Sequence, residues 1–207
     1  MLVASLSGQY KKWSHEPGGR RGSGVAAVRS ADARPERGRE LLSASGPITR
    51  RMRIEAGDPA DADAVAELWV ALAEEQTAYG SRVDPAANRA SVREAAAGHA
   101  VADGLLVARE DGVVGFVMFH LEDDTNGRRG VVENLYVRPA HRGCGVGSRL
   151  LANAEARLSD RDAEFVSLTA MADNEAARRF YRRHGYRCHR VRLEKPLESD
   201  TDSRDER

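Results

Sequence analysis

The stretch that decides the fold is VVENLYVRPAHRGCGVGSRLL, from Val131 to Leu151. It begins with an apolar, strand-like run, passes through a glycine-rich loop at 142–147, and continues into leucines at helical spacing. Glycines let a loop turn its backbone N–H groups toward a ligand, and the start of the next helix adds free N–H groups and a positive dipole end. Arg142 adds a cation with several donors. The order of strand, glycine loop and helix therefore predicts a diphosphate-binding site.

Two other phosphate-binding loops fit this stretch poorly. A dinucleotide fingerprint, Gly-x-Gly-x-x-Gly, needs a third glycine where Ser148 stands, and it belongs to the first strand of a series of βαβ units. Here the loop follows the fourth predicted strand, and too little chain remains for such a series. A P-loop ends in Gly-Lys-Ser or Gly-Lys-Thr, and this loop does not.

The chain before the loop predicts an antiparallel meander with two helices. Asp58-Pro59 supplies a capping carboxylate and a first-turn proline, so a helix should follow and end near Gly80. Two apolar runs around Asp111-Gly112 predict a β-hairpin. The predicted elements are a strand at Arg53–Glu55, a helix with the apolar stripe Val65, Leu68, Trp69 and Leu72, a helix at Asn88–Ala100, strands at Leu105–Arg109 and Val113–His120, a polar loop at Asp123–Gly130 and a strand at Val131–Val137.

The chain after the loop alternates helices and strands. Its predicted elements are a helix with Leu150, Leu151, Ala154 and Leu158 on one face, a strand at Glu164–Thr169, a helix capped by Asp173 or Asn174 and ended by Gly185, and a last strand at Tyr186–Leu193. The predicted fold class is thus α/β with a mixed sheet. An antiparallel meander comes first, a parallel pair follows the fourth strand, and helices cover both faces.

Two motifs in this half resemble those of a known family. Val131–Leu151, with Arg142-x-x-Gly145-x-Gly147 at its centre, resembles the pyrophosphate-binding motif of the GNAT N-acetyltransferases. NEAARRFYRRHGY, at Asn174–Tyr186, resembles the second motif of that family. The resemblance covers about residues 52 to 198. It implies a GNAT-like fold, acetyl-CoA as cosubstrate, and direct attack of a primary amine on the thioester.

The resemblance also implies which residues bind the cosubstrate. Backbone groups of the strand before the loop would hold the pantetheine arm like an added strand, and the N–H of Val137 would polarise the thioester carbonyl. Loop N–H groups would bind the diphosphate, and Asn174 would contact the arm through its side chain. The implied cosubstrate-binding residues are Leu135, Tyr136, Val137, Arg142, Gly143, Cys144, Gly145, Val146, Gly147, Ser148, Asn174 and Tyr181.

Tyr181 and Glu133 are the predicted catalytic residues. Tyr181 matches the family position whose hydroxyl donates to the departing CoA sulfur, and a phenol with a pKa of about 10 keeps its proton at neutral pH. Glu133 is the candidate base for an alkylammonium of pKa about 10.4. Strand alternation predicts that Glu133 shares a face with Leu135 and Val137. Glu74, Glu75 and Tyr79 are further candidates for holding a cationic amine.

Charge divides the chain into unlike parts. Residues 1–51 carry ten Lys and Arg against four Asp and Glu, whereas the remainder is net acidic. Residues 1–51 are predicted to be a disordered basic extension, translated from upstream of a true start at Met52, and 199–207 a disordered charged tail. The predicted domain is 52–198. A nucleic-acid-binding role for the basic arm is the less favoured alternative, because only Tyr10 and Trp13 interleave it with aromatic residues.

Composition narrows the class of protein further. Hydrophobic residues make up 41% and charged residues 31%, and no apolar stretch reaches the roughly 18 residues of a membrane span, so a cytoplasmic protein is predicted. Cys144 and Cys188 form no Cys-x-x-Cys pair, so no metal site is predicted from them and the nearby His141 and His189. A small-molecule or peptide amine is the expected partner, and a homodimer is possible. The alternative function is a non-catalytic acetyl-CoA-binding or sensing module.

Overall fold

A computed structural model describes residues 3–4, 52–124 and 127–195 of the chain. The strands are β1 (Val3–Ala4), β2 (Arg53–Ala56), β3 (Leu105–Arg109), β4 (Val113–Asp124), β5 (Gly127–Val137) and β6 (Phe165–Leu168). The helices are α1 (Ala62–Thr77), α2 (Pro85–Val101), α3 (Val146–Ser159) and α4 (Glu175–Arg183). Short 3-10 turns at Pro59–Asp61 and Pro139–His141 precede α1 and the glycine loop.

The 3-10 turn that leads into α1, and the helix α2, both begin at an Asp-Pro pair. Asp58 accepts a hydrogen bond from the Ala60 N–H at 2.8 Å, as the sequence predicts. Asp84 accepts from two backbone N–H groups at 3.0 and 3.1 Å and is followed by Pro85. The second helix therefore begins at Pro85 and not at the predicted Asn88, because Asp84-Pro85 repeats the same capping signal.

The sheet is mixed, as predicted. Its hydrogen-bonded order is β1-β5-β4-β3-β2, and these neighbours are all antiparallel. β6 pairs with β5 in parallel, with residues 129–132 facing 165–168. Beyond that pairing, the same edge of β5 meets β1, where Val3 faces Leu135 and Ala4 faces Asn134. The rest of the proposed extension at 1–51 and the tail at 199–207 lie outside the described residues.

Helices cover both faces of the sheet and enclose two cores. One core packs α1 and α2 against Phe116, Met118 and Tyr136. The other packs α3 and α4 against Val117, Leu135 and neighbouring strand residues. Helices on both faces are therefore confirmed, and each strand residue is assigned to a face by the core it enters.

Two predicted elements differ in the structure. In the polar stretch predicted as a loop at Asp123–Gly130, residues 123–124 and 127–130 are strand, because β4 and β5 stay paired out to Asp124 and Gly127. The predicted last strand at Tyr186–Leu193 is absent from the described residues. Only Val191 and Leu193 supply its apolar alternation, both are exposed, and the segment pairs with no described strand. A strand without a hydrogen-bonding partner has little to stabilise it.

A β-bulge interrupts β5 at Glu133. Met118 pairs with Asn134, yet the next residue of β4, Phe119, pairs with Val132, so Glu133 has no partner in β4. The extra residue breaks the alternation of side chains. Leu135 lies in the α3–α4 core, whereas Glu133 contacts His99 of α2 on the opposite face. The prediction that Glu133 shares a face with Leu135 and Val137 is therefore wrong.

A buried hydrogen bond anchors the residue next to this bulge. Trp69 of α1 donates from Nε1 to Oδ1 of Asn134 at 3.1 Å, and both side chains are almost fully buried. Trp69→Phe leaves that oxygen buried without a donor, so the free energy of unfolding should fall by about 1–3 kcal/mol. Urea denaturation measures the change.

The double variant Trp69→Phe/Asn134→Leu provides the control for this prediction. It removes donor and acceptor together, so its loss of stability should be smaller than the sum of the two single losses. A Trp69→Phe protein as stable as the parent would show that the hydrogen bond contributes nothing.

Candidate active site

The glycine loop takes its shape from two residues in the left-handed region of backbone space. Gly143 and Gly145 have φ of 80° and 79°. A Cβ at either position would meet no atom within 4 Å, so their conformation, and not a lack of space, favours glycine there. Gly145 directly precedes α3 and reverses the chain into it.

The N-terminus of α3 is left uncapped. Its N-cap residue is Gly145, which has no side chain to bond to the first turn, and the first intrahelical bond runs from the Arg149 N–H to the Gly145 carbonyl at 3.0 Å. The N–H groups of 146–148 therefore have no acceptor within the helix. Together with the helix dipole they form a site suited to an anion.

A cavity of about 230 Å³ lies against this helix end. It collects most of the residues predicted to bind the cosubstrate, together with three that the sequence analysis did not select: His141, Phe180 and Arg183. The lining residues are Leu135, Val137, His141, Arg142, Gly143, Gly145, Val146, Gly147, Ser148, Phe180, Tyr181 and Arg183. Of the predicted residues, Glu133, Tyr136, Cys144 and Asn174 do not line it.

Tyr181 presents a buried hydroxyl to this cavity. Its side chain is 3% exposed, and its hydroxyl has no hydrogen-bond partner among the described residues. The ring is held edge-on against Phe180 and Tyr186, with centroids 5.1 and 5.4 Å apart. Burial raises the pKa of Tyr181 well above its usual range, so the hydroxyl keeps its proton at neutral pH. It can act as a proton donor to a group in the cavity.

Asn174 has a structural role at the start of α4. Its side-chain oxygen accepts a hydrogen bond from the Ala177 N–H at 3.0 Å, which caps the helix. The cap fixes the helix that carries Tyr181. The predicted contact between the Asn174 side chain and the cosubstrate stays a prediction.

Arg142 joins the glycine loop to α1. Its guanidinium donates to both carboxylate oxygens of Glu75, at 2.7 and 3.0 Å, and to the Val137 carbonyl at 2.7 Å. The Tyr136 hydroxyl also donates to Glu75, at 3.1 Å. Glu75 is thus engaged in holding the loop and not in facing an acceptor amine. The positive charge of Arg142 is largely neutralised, so the attraction for phosphate rests more on the backbone N–H groups.

A second cluster surrounds Glu133 on the face of α1 and α2. One carboxylate oxygen lies 2.7 Å from Nδ1 of His120, and the other lies 3.4 Å from Nε2 of His99. The second nitrogen of His120 lies 3.1 Å from Glu122, which is in turn paired with Arg129. Two histidines from α2 and β4 therefore meet a strand carboxylate at the bulge.

This cluster keeps Glu133 ionised. Burial raises the pKa of the Glu133 carboxyl, but the hydrogen bonds from His120 and His99 outweigh it and lower the pKa to about 2. Burial lowers the pKa of His120, and its two carboxylate neighbours outweigh that effect and raise it. Glu133 is therefore a carboxylate at neutral pH, but one that holds a proton only weakly.

The sequence analysis did not identify either histidine. His120 stands near the middle of a β-strand, and His99 stands in the last turn of α2, 34 residues before Glu133. No motif joins positions at that separation. Glu133 contacts the two histidines because the bulge turns its side chain toward α2.

The chain belongs to the acetyltransferase (GNAT) family, whose profile matches residues 68–186. That profile describes a family of acetyltransferases that use acetyl-CoA. The chain is similar to an aminoalkylphosphonate N-acetyltransferase of Salmonella typhimurium, with 34% identity over 94 residues. That match covers 44% of this chain and 61% of the length of the relative.

Solved structures share the fold. A GCN5-related N-acetyltransferase from Ralstonia eutropha superposes with a TM-score of 0.59 and 22% identity, covering 71% of this chain and 99% of that one. A predicted acetyltransferase from Clostridium acetobutylicum, solved with acetyl-CoA, gives a TM-score of 0.56 and 18% identity, covering 71% and 97%. The GNAT-like fold is therefore confirmed.

Two features are absent from the described residues. None of their helices combines the length and apolar character that a membrane span requires. No group of three or more histidine, cysteine or carboxylate side chains among them is placed to hold a metal ion.

Gly145→Ala tests the backbone requirement of the loop. Alanine at a φ of 79° is strained by about 1–2 kcal/mol, and a loop that relaxes this strain moves its N–H groups away from the phosphates. The affinity for acetyl-CoA, measured by calorimetry, should fall about tenfold.

Gly80→Ala is the matched control for this variant. Gly80 has a φ of 84° and open space around it, but it does not line the cavity. It should lose similar stability and keep the affinity for acetyl-CoA. Equal affinity losses in both variants would contradict a specific role for the loop.

Proposed function

We propose that this protein is an N-acetyltransferase that moves the acetyl group of acetyl-CoA to a primary amine by direct attack on the thioester. The observation that carries the proposal is the buried, unpartnered hydroxyl of Tyr181 in the same cavity as the uncapped N-terminus of α3. An anion-binding helix end beside a proton donor suits a ligand with a diphosphate and a sulfur leaving group.

The direction of the Val137 N–H supports the proposed course of the pantetheine arm. The Arg138 N–H bonds to the Val114 carbonyl of β4 at 2.8 Å. Since successive N–H groups of a strand point to opposite edges, the Val137 N–H points away from β4, toward the edge beyond β1. There it can donate to the thioester oxygen as negative charge develops on it.

In the proposed reaction, the ammonium form of the acceptor first loses a proton toward the cluster of Glu133, His99 and His120, on the face of the sheet opposite α3, which frees its lone pair. The nitrogen attacks the thioester carbon, a C–N bond forms, the C–S bond breaks, and the sulfur leaves with its electron pair as a thiolate. Tyr181 donates its proton to the thiolate, and the second proton that the nitrogen loses as the amide forms passes through solvent and restores Tyr181.

An amine panel tests this proposal. The protein is incubated with acetyl-CoA and with alkylamines, polyamines, amino acids, peptides and aminoalkylphosphonates, the last because of the acceptor that the Salmonella relative is named for. Release of free thiol should depend on at least one amine. Binding of acetyl-CoA without amine-dependent thiol release, across the whole panel, would favour the non-catalytic module.

Tyr181→Phe tests the proton donor in the same assay. The loss of the hydroxyl should lower kcat about 100-fold and leave the affinity for acetyl-CoA within about threefold. Tyr186→Phe is the control, because it keeps the ring that packs on Tyr181 and removes a hydroxyl bonded to Glu155 outside the cavity. Equal kcat in the two variants would remove Tyr181 from the mechanism.

We further propose that 52–198 is the working domain. Among the described residues, both cores are built from 52–186, and β1 adds two paired residues at the edge of β5. A protein that begins at Met52 should therefore fold, bind acetyl-CoA and keep its melting temperature within a few degrees. Loss of folding on removing 1–51 would show that the extension belongs to the domain.

A further inference from the structure

We propose that β1 and the pantetheine arm of acetyl-CoA compete for the same edge of β5, so that the N-terminal strand of this chain inhibits binding of its own cosubstrate. This competition rests on the proposed function, from which it takes the course of the arm along residues 135–137. Three features carry it: the pairing of β1, the point at which β6 stops pairing, and the direction of the Leu135 backbone groups.

Two strands share the outer edge of β5. The other edge of β5 is paired with β4. On the outer edge, β6 pairs in parallel with residues 129–132. β1 pairs with the stretch that follows, where Val3 faces Leu135 and Ala4 faces Asn134. Within the part of the chain that the structure describes, no third strand pairs with this edge, so β1 takes the place that β6 leaves.

The backbone groups of Leu135 point toward β1. The Arg138 N–H bonds to β4, and the N–H and carbonyl of successive strand residues point to alternate edges. Val137 and Leu135 therefore both direct these groups to the outer edge. The Val137 carbonyl already accepts from Nε of Arg142 at 2.7 Å. An added strand at 135–137 must therefore bond to the Val137 N–H and to the two groups of Leu135.

Two partners cannot use the groups of Leu135 together. Each residue offers one backbone N–H, and one edge of a strand holds a single partner about 4.8 Å away. The pantetheine arm would bind there like an added strand, and β1 already lies there as one. Because β1 runs antiparallel to β5, its N-terminal end points toward Val137, whose N–H is proposed to polarise the thioester. Docking of β1 and binding of the arm are therefore mutually exclusive.

The pairing is small enough for a ligand to displace it. β1 has two residues, so it has few hydrogen bonds to lose. It also approaches α1, which gives it a second contact beside the edge. Since β1 belongs to the same chain, its docking does not depend on protein concentration. The cosubstrate binds when β1 is undocked, and its apparent affinity is reduced by the fraction of molecules in that state.

This competition changes binding and not the chemical step. If β1 is docked about nine tenths of the time, the apparent Kd for acetyl-CoA is about tenfold above its intrinsic value. Saturating acetyl-CoA displaces β1 completely. The KM for acetyl-CoA should therefore be raised by the same factor, whereas kcat should be unaffected.

Proline in β1 tests the competition in the full chain. Val3→Pro/Ala4→Pro removes both N–H groups of the strand and fixes φ at about −65°. The Kd for acetyl-CoA, measured by calorimetry, should fall about tenfold, and the KM should fall with it at constant kcat. The protein that begins at Met52 should show the same gain. The matched control is Val25→Pro/Ala26→Pro, the same residue pair elsewhere in 1–51, which should bind like the parent.

Hydrogen exchange gives a second readout. Without ligand, the backbone amides of β1 in the parent should be protected by their pairing with β5. Saturation with acetyl-CoA should accelerate their exchange about tenfold, because the arm displaces the strand. The Leu135 amide should stay protected, since it exchanges one partner for another.

Two results would overturn the competition. One is an affinity for acetyl-CoA that is equal or lower in Val3→Pro/Ala4→Pro, and the other is a β1 that stays protected at saturating acetyl-CoA. Melting temperature identifies a shortened protein that does not fold, and the proline variant then decides alone. If no form of the protein binds acetyl-CoA, the proposed function fails and the competition with it. If acetyl-CoA binds as expected but no amine releases thiol, only the catalytic part of the proposed function fails.

Discussion

The bulge at Glu133 is the constraint on which the rest of the site depends. β5 carries one residue more than β4 can pair. This extra residue divides β5 into two parts that have different neighbours. Before the bulge, β5 pairs in parallel with β6. After it, Leu135 and Val137 line the cavity, while Glu133 meets α2 on the opposite face. The strand thereby connects the cavity on one face of the sheet with the Glu133 cluster on the other.

On the cavity side, the structure favours binding by backbone over binding by charge. The helix end at Val146 is uncapped, and Arg142 is paired with Glu75. Because Glu75 neutralises much of the charge of Arg142, the loop attracts a distant phosphate less strongly. In return the ion pair fixes the loop against α1, so that the N–H groups are already in place when the ligand arrives.

On the α2 side, one carboxylate meets two histidines. Glu133 lies 2.7 Å from Nδ1 of His120 and 3.4 Å from Nε2 of His99. These side chains come from β5, β4 and α2, so no local motif of the sequence encodes the cluster.

The sequence by itself determined the elements around the cavity. Capping pairs, apolar periodicity and the two motifs depend on neighbours along the chain, so the helices, the glycine loop and the place of Tyr181 could be predicted. Only the tertiary structure decided the cluster around Glu133 and the contacts of Arg142. The bulge, the pairing of Arg142 with Glu75 and the approach of His99 to Glu133 join residues that lie 34 or more positions apart or depend on strand register. Such contacts leave no periodic signal, because packing sets them and local propensity does not.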